Sequence, residues 1–380
     1  MKVELVGPIG DFSGYGHDCR QTAQALLKAG VDLYIKRIVI DKKDATCDFG
    51  AVGSTLRPYV RTSEELDVQI IHAPPHMWGK YVRGDCLTIG KTAWETDTVD
   101  PRWIRYIRNA GVQQLWVPTQ SNADIFQSEL PNASVIAIPH AHDVDAYDTN
   151  VDPLDLSMFG VADDVFVFGS AFQWTARKNP EGLITAFISE FSSDESVALL
   201  LKTHTWDTTE DATTDLHEKL ISAVKSTGFS GPRGRIALLP QALPFEMMLQ
   251  LYKRIDCGVY PFHGEGWGLH ISESMLMERA CIVTNWSGPT EYCDESDSYL
   301  LGYQMKPVTG MEWSRWHNSS QSWADPDLTQ LRETMRMVFE QRGTPAHMEK
   351  GMMAREKIYN NYSLNSVGNK MKDLMKDLLQ

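Results

Sequence analysis

The sequence predicts an α/β protein of two domains, each a parallel sheet flanked by helices, and three features carry that expectation. The chain has 380 residues, more than one ordinary core accommodates and enough for two domains of typical size. Short apolar runs alternate with helix-like segments, and this strand-and-helix grammar is written twice. Glycine-rich loops follow the first strand of one series and a late strand of the other.

Hydrophobic residues make up 42% and charged residues 23% of the chain, the balance of a folded globular protein. A net charge of −14 disfavours broad adhesion to DNA or anionic lipid. Met1 to Gly7 carries one lysine and a short apolar run that breaks at Gly7-Pro8, so neither a signal-peptide core nor a membrane span is expected there. Cys19, Cys47, Cys86, Cys257, Cys281 and Cys293 form no Cys-x-x-Cys pair. They are expected as reduced thiols, which makes the cytoplasm the expected location.

In the first series, Lys2 to Val6 is a strand ending at Gly7-Pro8-Ile9-Gly10, and the run Cys19 to Leu27 is helical. Strands follow at Leu33 to Ile40, Val68 to Ile71, Cys86 to Ile89, Gln114 to Val117 and Val135 to Ile138. The aspartate-rich stretch Asp143 to Asp155 interrupts the pattern as a linker. The second series has strands at Val165 to Phe168, Val197 to Lys202, Arg235 to Leu239, Cys257 to Tyr260 and Cys281 to Asn285. Its helices are expected at Pro180 to Phe191, Leu216 to Thr227, Phe245 to Tyr252 and His270 to Glu278. Met348 to Gln380 has apolar residues at helical spacing with lysines between them, a helical segment that packs along one face. The expected division is therefore 1–155, 156–347 and a C-terminal helical segment, 348–380.

The densest chemical signal is Gly264-Glu265-Gly266-Trp267-Gly268-Leu269-His270-Ile271-Ser272-Glu273, directly after a strand. Glycines at a strand's C-terminal end let backbone N–H groups approach a diphosphate, and the following helix N-terminus adds a favourable dipole. Glu273, on that helix, has two oxygens with which to accept ribose hydroxyls. Alone, an acidic pair at this spacing is more often a solvated face. The surrounding Gly266, Gly268 and Gly288 favour a site.

That stretch resembles the signature of the large retaining glycosyltransferase family with the GT-B fold, the glycogen-synthase-like and mannosyltransferase-like group. Asp256, Pro261 and Ser287-Gly288-Pro289-Thr290-Glu291 fall where that family places its usual residues, and Arg177-Lys178-Asn179-Pro180 resembles its phosphate-binding lysine loop. Val117-Pro118-Thr119-Gln120, Ile138-Pro139-His140-Ala141-His142-Asp143 and Trp323-Ala324-Asp325-Pro326-Asp327 extend the resemblance over most of the chain. The resemblance implies two Rossmann-like domains facing across a cleft, with a C-terminal helix crossing back to the first.

It also implies transfer of a hexose-type sugar from a nucleotide-sugar donor to a saccharide or glycoconjugate hydroxyl, with retention, and no cofactor or metal beyond the nucleotide sugar. Glu265, Lys178 and Glu95 become the catalytic candidates. Gly14, Gly16, Arg177, Lys178, Gly266, Trp267, Gly268, Leu269, Glu273 and Glu291 become the donor-binding ones. Two departures stand out. The Arg usual after the first strand of the second domain is missing from Ser170 to Trp174, and Trp94-Glu95-Thr96-Asp97 stands where relatives carry a His.

Trp94, Trp174 and Trp267 are either aromatic platforms for sugar or base, or core. His72, His76, His140 and His142 fit polar residues at strand ends better than a metal site, because no third ligand lies close in sequence. Three further readings stay open: glycosylation of a hydroxymethylated DNA base, which the net charge disfavours, a non-transferase GT-B enzyme, and an inactive sugar-nucleotide-binding protein.

Overall fold

The computed structural model describes residues 1–40, 55–204 and 210–380. Cys47 lies outside them, and the other five cysteines are free thiols. The described chain divides into two compact units, Met1–Val144 with Tyr359–Gln380, and Asp145–Ile358.

The first unit runs β1 (Lys2–Gly7), α1 (Gly14–Lys28), β2 (Asp32–Arg37), β3 (Val68–His72), β4 (Leu87–Lys91), α2 (Pro101–Ala110), β5 (Gln114–Val117), α3 (Gln120–Glu129) and β6 (Val135–Ala137). Its strands form one parallel sheet in the order β2-β1-β3-β4-β5-β6. The order reverses between β1 and β3, and the crevice beyond the carboxyl ends of strands at such a reversal is where open α/β sheets bind ligands.

Helix α1 begins earlier than the sequence indicates. Ser13 caps it by accepting from the Gly16 N–H at 3.2 Å, and Asp11 Oδ1 holds the Ser13 N–H at 2.7 Å. Gly14 and Gly16 therefore lie in the first helical turn rather than in the expected loop. Local capping outweighs glycine's poor helix propensity here. A Cβ at Gly16 would overlap the Asp11 carbonyl, so that position needs glycine for close approach.

The second unit repeats the plan with β7 (Phe166–Gln173), α4 (Pro180–Glu190), β8 (Val197–His204), α5 (Glu210–Ser226), β9 (Arg235–Leu239), α6 (Phe245–Arg254), β10 (Cys257–Tyr260), α7 (Leu269–Leu276), β11 (Cys281–Thr284) and β12 (Ser298–Leu301). The parallel order is β12-β11-β10-β7-β8-β9. The sheet is buried on both faces, which is why β7 and β8 read as continuous apolar runs rather than alternating ones. An antiparallel pair, β13 (Tyr303–Pro307) and β14 (Ser322–Pro326), precedes α8 (Leu328–Glu340). Asp327 caps α8 by accepting from the N–H groups of Thr329 and Gln330.

The expected C-terminal helical segment is two helices, α9 (Pro345–Asn361) and α10 (Leu364–Leu378). The break comes where His142 and the chain at Tyr362 to Leu364 exchange backbone hydrogen bonds, 2.8 Å to the Tyr362 carbonyl and 3.0 Å from the Leu364 N–H. Ser363 then caps α10. As the resemblance implied, α10 returns to the first unit. Leu364, Val367, Met371 and Met375 join its core against α1, and Lys372 Nζ donates to the Ala29 carbonyl at 2.6 Å.

The compact division falls at 144 and 358, not at 155 and 348. Leu154 donates its N–H to Gln250 O at 2.9 Å, and Arg355 holds the Tyr147 carbonyl, so both flanking segments belong with the second unit. Among the described residues no helix is long and apolar enough to cross a membrane.

Candidate active site

The loop after β10 turns back on the loop after β7. Asn179 adopts a left-handed conformation (φ 49°), caps α4 through Gly182, and donates its side-chain N–H to the Pro261 carbonyl at 3.0 Å. The His263 N–H donates to the Arg177 carbonyl at 2.9 Å. These bonds place Arg177 and Lys178, on a 3-10 turn, beside Glu265. Arg177 Nη1 reaches Glu265 Oε1 and the Gly264 carbonyl, both at 2.7 Å. Lys178 Nζ pairs with the same Oε1, and it lies 4.4 Å from the Phe262 ring centroid. Three candidates far apart in sequence thus meet on one carboxylate oxygen.

The backbone of this loop is held from a third side. The Glu265 N–H donates to Ser287 Oγ at 3.0 Å, and the Gly288 N–H donates to the Glu265 carbonyl at 2.9 Å. Ser287 sits at φ 59°, a strained position for a non-glycine residue. A Cβ on Gly288 would lie within 2.7–2.8 Å of the Glu265 and Gly266 backbone, so Gly288 is what admits the loop. Gly268, at φ 99°, caps α7, with Gly266 two residues before it and Leu269 opening the helix. Glu291 ends a half-buried 3-10 turn, Gly288–Glu291.

Trp267 is no platform: it is buried, stacks near Tyr292 at 4.6 Å between centroids, and donates to Ser272 Oγ at 3.1 Å. Trp94 is likewise core, its Nε1 satisfied by Thr96 and Thr98. Both tryptophans serve packing because their ring nitrogens find partners inside. Trp174 is half-buried beside Phe172.

Glu273 is buried on α7, where Oε2 accepts the Tyr252 hydroxyl at 2.5 Å and lies 3.0 Å from His270 Nδ1. Burial, then the Glu273 charge, pushes the Tyr252 hydroxyl well above its usual pKa, so it remains a donor. Sequence reasoning missed Tyr252 and Lys202. Lys202, on β8, is 7% exposed and feels Glu273 as its opposing charge. His204 is pushed down to about 4 by burial first, then by Lys202, His270 and Lys178.

Glu95 belongs to the first unit, half-buried in the loop after β4. It raises the pKa of the half-buried Tyr15, behind the larger effect of desolvation, while Tyr15 shares a 2.8 Å hydrogen bond with Thr92. Nearby, the buried Asp18 pairs with Lys91 and lies 3.2 Å from both His72 Nε2 and His140 Nε2. Burial and Lys91 hold both histidines well below their usual pKa, so they are neutral. A cavity of about 500 Å³ between α5 and β9, lined by Leu220, Ile221, Val224, Phe229 and Ile236, contains none of the candidate residues.

Two parallel six-stranded sheets, with the last helix returned to the first, match solved structures over the whole chain. The chain has the GT-B fold. Similar GT-B structures include HepE from Anabaena in complex with UDP and glucose, at 13% identity, TM-score 0.69, covering 99% of this chain and 100% of that one. Sucrose-phosphate synthase from Thermosynechococcus elongatus matches at 13% identity and TM-score 0.68, covering 100% and 99%. A UDP-forming α,α-trehalose-phosphate synthase from Burkholderia xenovorans, in complex with glucose-6-phosphate, matches at 11% and 0.65, covering 100% of both chains. No family model and no curated protein matches the sequence.

Proposed function

We propose that this GT-B protein is a retaining glycosyltransferase that moves a hexose-type sugar from a nucleotide-sugar donor to a hydroxyl of a saccharide or glycoconjugate. The observation that carries the reading is the convergence of Arg177 and Lys178 on Glu265, three residues ahead of the α7 cap, with Glu273 on the same helix. Sugar transfer leaves a nucleoside diphosphate, on which negative charge grows as the glycosidic bond breaks. A guanidinium and an ammonium beside a helix N-terminus supply what that charge needs.

In this reading Lys178 and Arg177 shift from Glu265 toward the diphosphate, aided by N–H groups from Gly266 to Leu269. Glu265 is thereby released to accept hydroxyls of the transferred sugar. Glu273 accepts from the ribose, and Glu95 orients the acceptor. Retention follows from the resemblance carried by Glu265 to Glu291. The UDP bound to HepE makes uracil the first base to try.

The test is a thermal-shift series with UDP, GDP and ADP and their glucose and mannose conjugates, followed by assay of nucleotide release with saccharide acceptors. A ligand that binds only the folded state raises the melting temperature. One nucleotide series should do so, and its sugar conjugate should turn over. Stabilisation by none of them would overturn the reading.

A further inference from the structure

Lys202 lies on the face of the second sheet that α7 covers. Side chains two apart on a strand share a face, and cross-strand partners share it too. Ala171 pairs with Lys202, and Gly169, two residues before Ala171, pairs with Gly258, two before Tyr260. Tyr260 and Lys202 therefore stand on the same side, where the Tyr260 hydroxyl lies 2.6 Å from Ser274 Oγ of α7. Glu273 is the residue before Ser274, and His204 follows Lys202 on the same side.

Lys202 is an unusual occupant of such a place. An ammonium group has three donors and no acceptor, and burying it is costly without an anion or hydrogen bonds in return. Lys202 is 7% exposed and, among the described residues, makes no hydrogen bond or ion pair. Burial accordingly pulls its pKa below the usual lysine range, with Glu273 opposing. Arg177 and Lys178, by contrast, are engaged with Glu265 near the helix N-terminus. Glu273 lies one turn further along α7, and its Oε2 already takes the Tyr252 hydroxyl.

We propose that Lys202 donates a hydrogen bond to a ribose hydroxyl of the bound nucleotide, beside Glu273, so that the two residues read the ribose as donor and acceptor together. A hydroxyl gives one hydrogen and offers two lone pairs. A carboxylate alone takes the hydrogen, and a neighbouring ammonium fills a lone pair. The proposal rests on the donor-site reading above. It makes Lys202 a specificity residue for ribose over deoxyribose, separate from the groups assigned to the diphosphate.

The test is calorimetric titration of the wild-type chain, Lys202→Met and Lys202→Gln with UDP, GDP and ADP alongside their 2′-deoxy and 3′-deoxy forms, with melting temperatures recorded in parallel. The wild type should prefer the ribose form of its nucleotide by about tenfold or more over one deoxy form. Lys202→Met should weaken only the ribose form and erase that preference. Lys202→Gln, which keeps amide N–H donors and should fold if Met does not, should retain part of it. Equal weakening of ribose and deoxy forms would assign Lys202 to phosphate and overturn the proposal. A lowered melting temperature with an unchanged preference would make it a purely structural lysine and overturn the proposal equally. Binding of no nucleotide by the wild type would instead refute the donor-site reading itself.

Discussion

Tyr252 donates its hydroxyl to the Glu273 carboxylate at 2.5 Å, tying α6 to α7 inside the second unit. Tyr252→Phe removes that donor and should cost about 1.5–3 kcal/mol of stability, the range for a hydrogen bond to a charged group. Glu273→Ala should cost a similar amount, because it leaves the tyrosine hydroxyl with His270 Nδ1, 2.8 Å away, in place of a carboxylate. The two variants part company in binding. Only Glu273→Ala should weaken nucleotide affinity by tenfold or more, measured by calorimetry, whereas similar losses in both would mean that Glu273 acts by packing alone.

Arg177 and Lys178 share Glu265 Oε1, so their energetic contributions should not add. Either Arg177→Ala or Lys178→Ala leaves the carboxylate one cation. The double variant leaves an uncompensated, mostly buried charge and should lose more stability than the two single losses together, by about 1–2 kcal/mol. Urea denaturation of the four proteins closes the cycle. An additive result would dismiss the shared-carboxylate picture. In turnover, Lys178→Ala alone should fall much further than its melting temperature suggests, since a cation on a developing diphosphate acts mainly in the transition state.

Gly288→Ala should fold poorly or with a displaced loop. The added Cβ would press on the Glu265 and Gly266 backbone at 2.7–2.8 Å, where no side-chain rotation relieves it. Overpacking of this kind costs about 1–3 kcal/mol, and nucleotide binding should fall with stability. A variant with wild-type melting and affinity would show that the loop yields freely.

Acid should destabilise the second unit through two histidines. His263 is held at about 4 by burial and by Lys306, with its ring stacked on Trp323 and Nδ1 donating to the Ala324 carbonyl at 2.7 Å. His204 is held at about 4 by burial and by the cations around it. Both pKa values lie below the roughly 6.5 of an unfolded histidine, so the unfolded chain takes up protons first as pH falls. Their contribution is full above about pH 6.5 and is lost on approach to pH 4, on the order of 2 kcal/mol for each by pH 5. Urea midpoints at pH 7 and pH 5 measure this. His263→Phe should flatten the dependence, and an unchanged slope would place the acid sensitivity elsewhere.

Strand positions were legible in the sequence because both sheets are parallel and buried, so Phe166 to Phe172 and Val197 to Leu201 stand out as apolar runs. The loop from Gly264 to Gly268 was legible because glycines cluster where backbone must approach backbone. The start of α1 was not, since its first turn holds two glycines and depends on the Ser13 cap. Nor was the break at Ser363, which a tertiary contact with His142 imposes on a continuous helical pattern. Within the site, the spacing of Glu265 and Glu273 is a local signal that one segment carries. Tyr252 and Lys202 come from other elements: the register of β7, β8 and β10 puts Lys202 on the face that α7 covers, and the packing of α6 brings Tyr252 to Glu273.

The return of α10 to α1 also fixes an order of events when the chain is made. Leu364, Val367, Met371 and Met375 complete a core whose other members lie before residue 142. A nascent chain emerges from the ribosome N-terminus first, so the first sheet is synthesised more than two hundred residues before the helix that seals α1. Throughout that interval Ala25, Leu26 and their neighbours face solvent or a chaperone. The second unit, continuous from Asp145 to Ile358, needs no later segment and can close while the first still waits. The unit begun first is finished last, and translation that stops before residue 364 would release a folded second unit tethered to an unsealed, aggregation-prone first one.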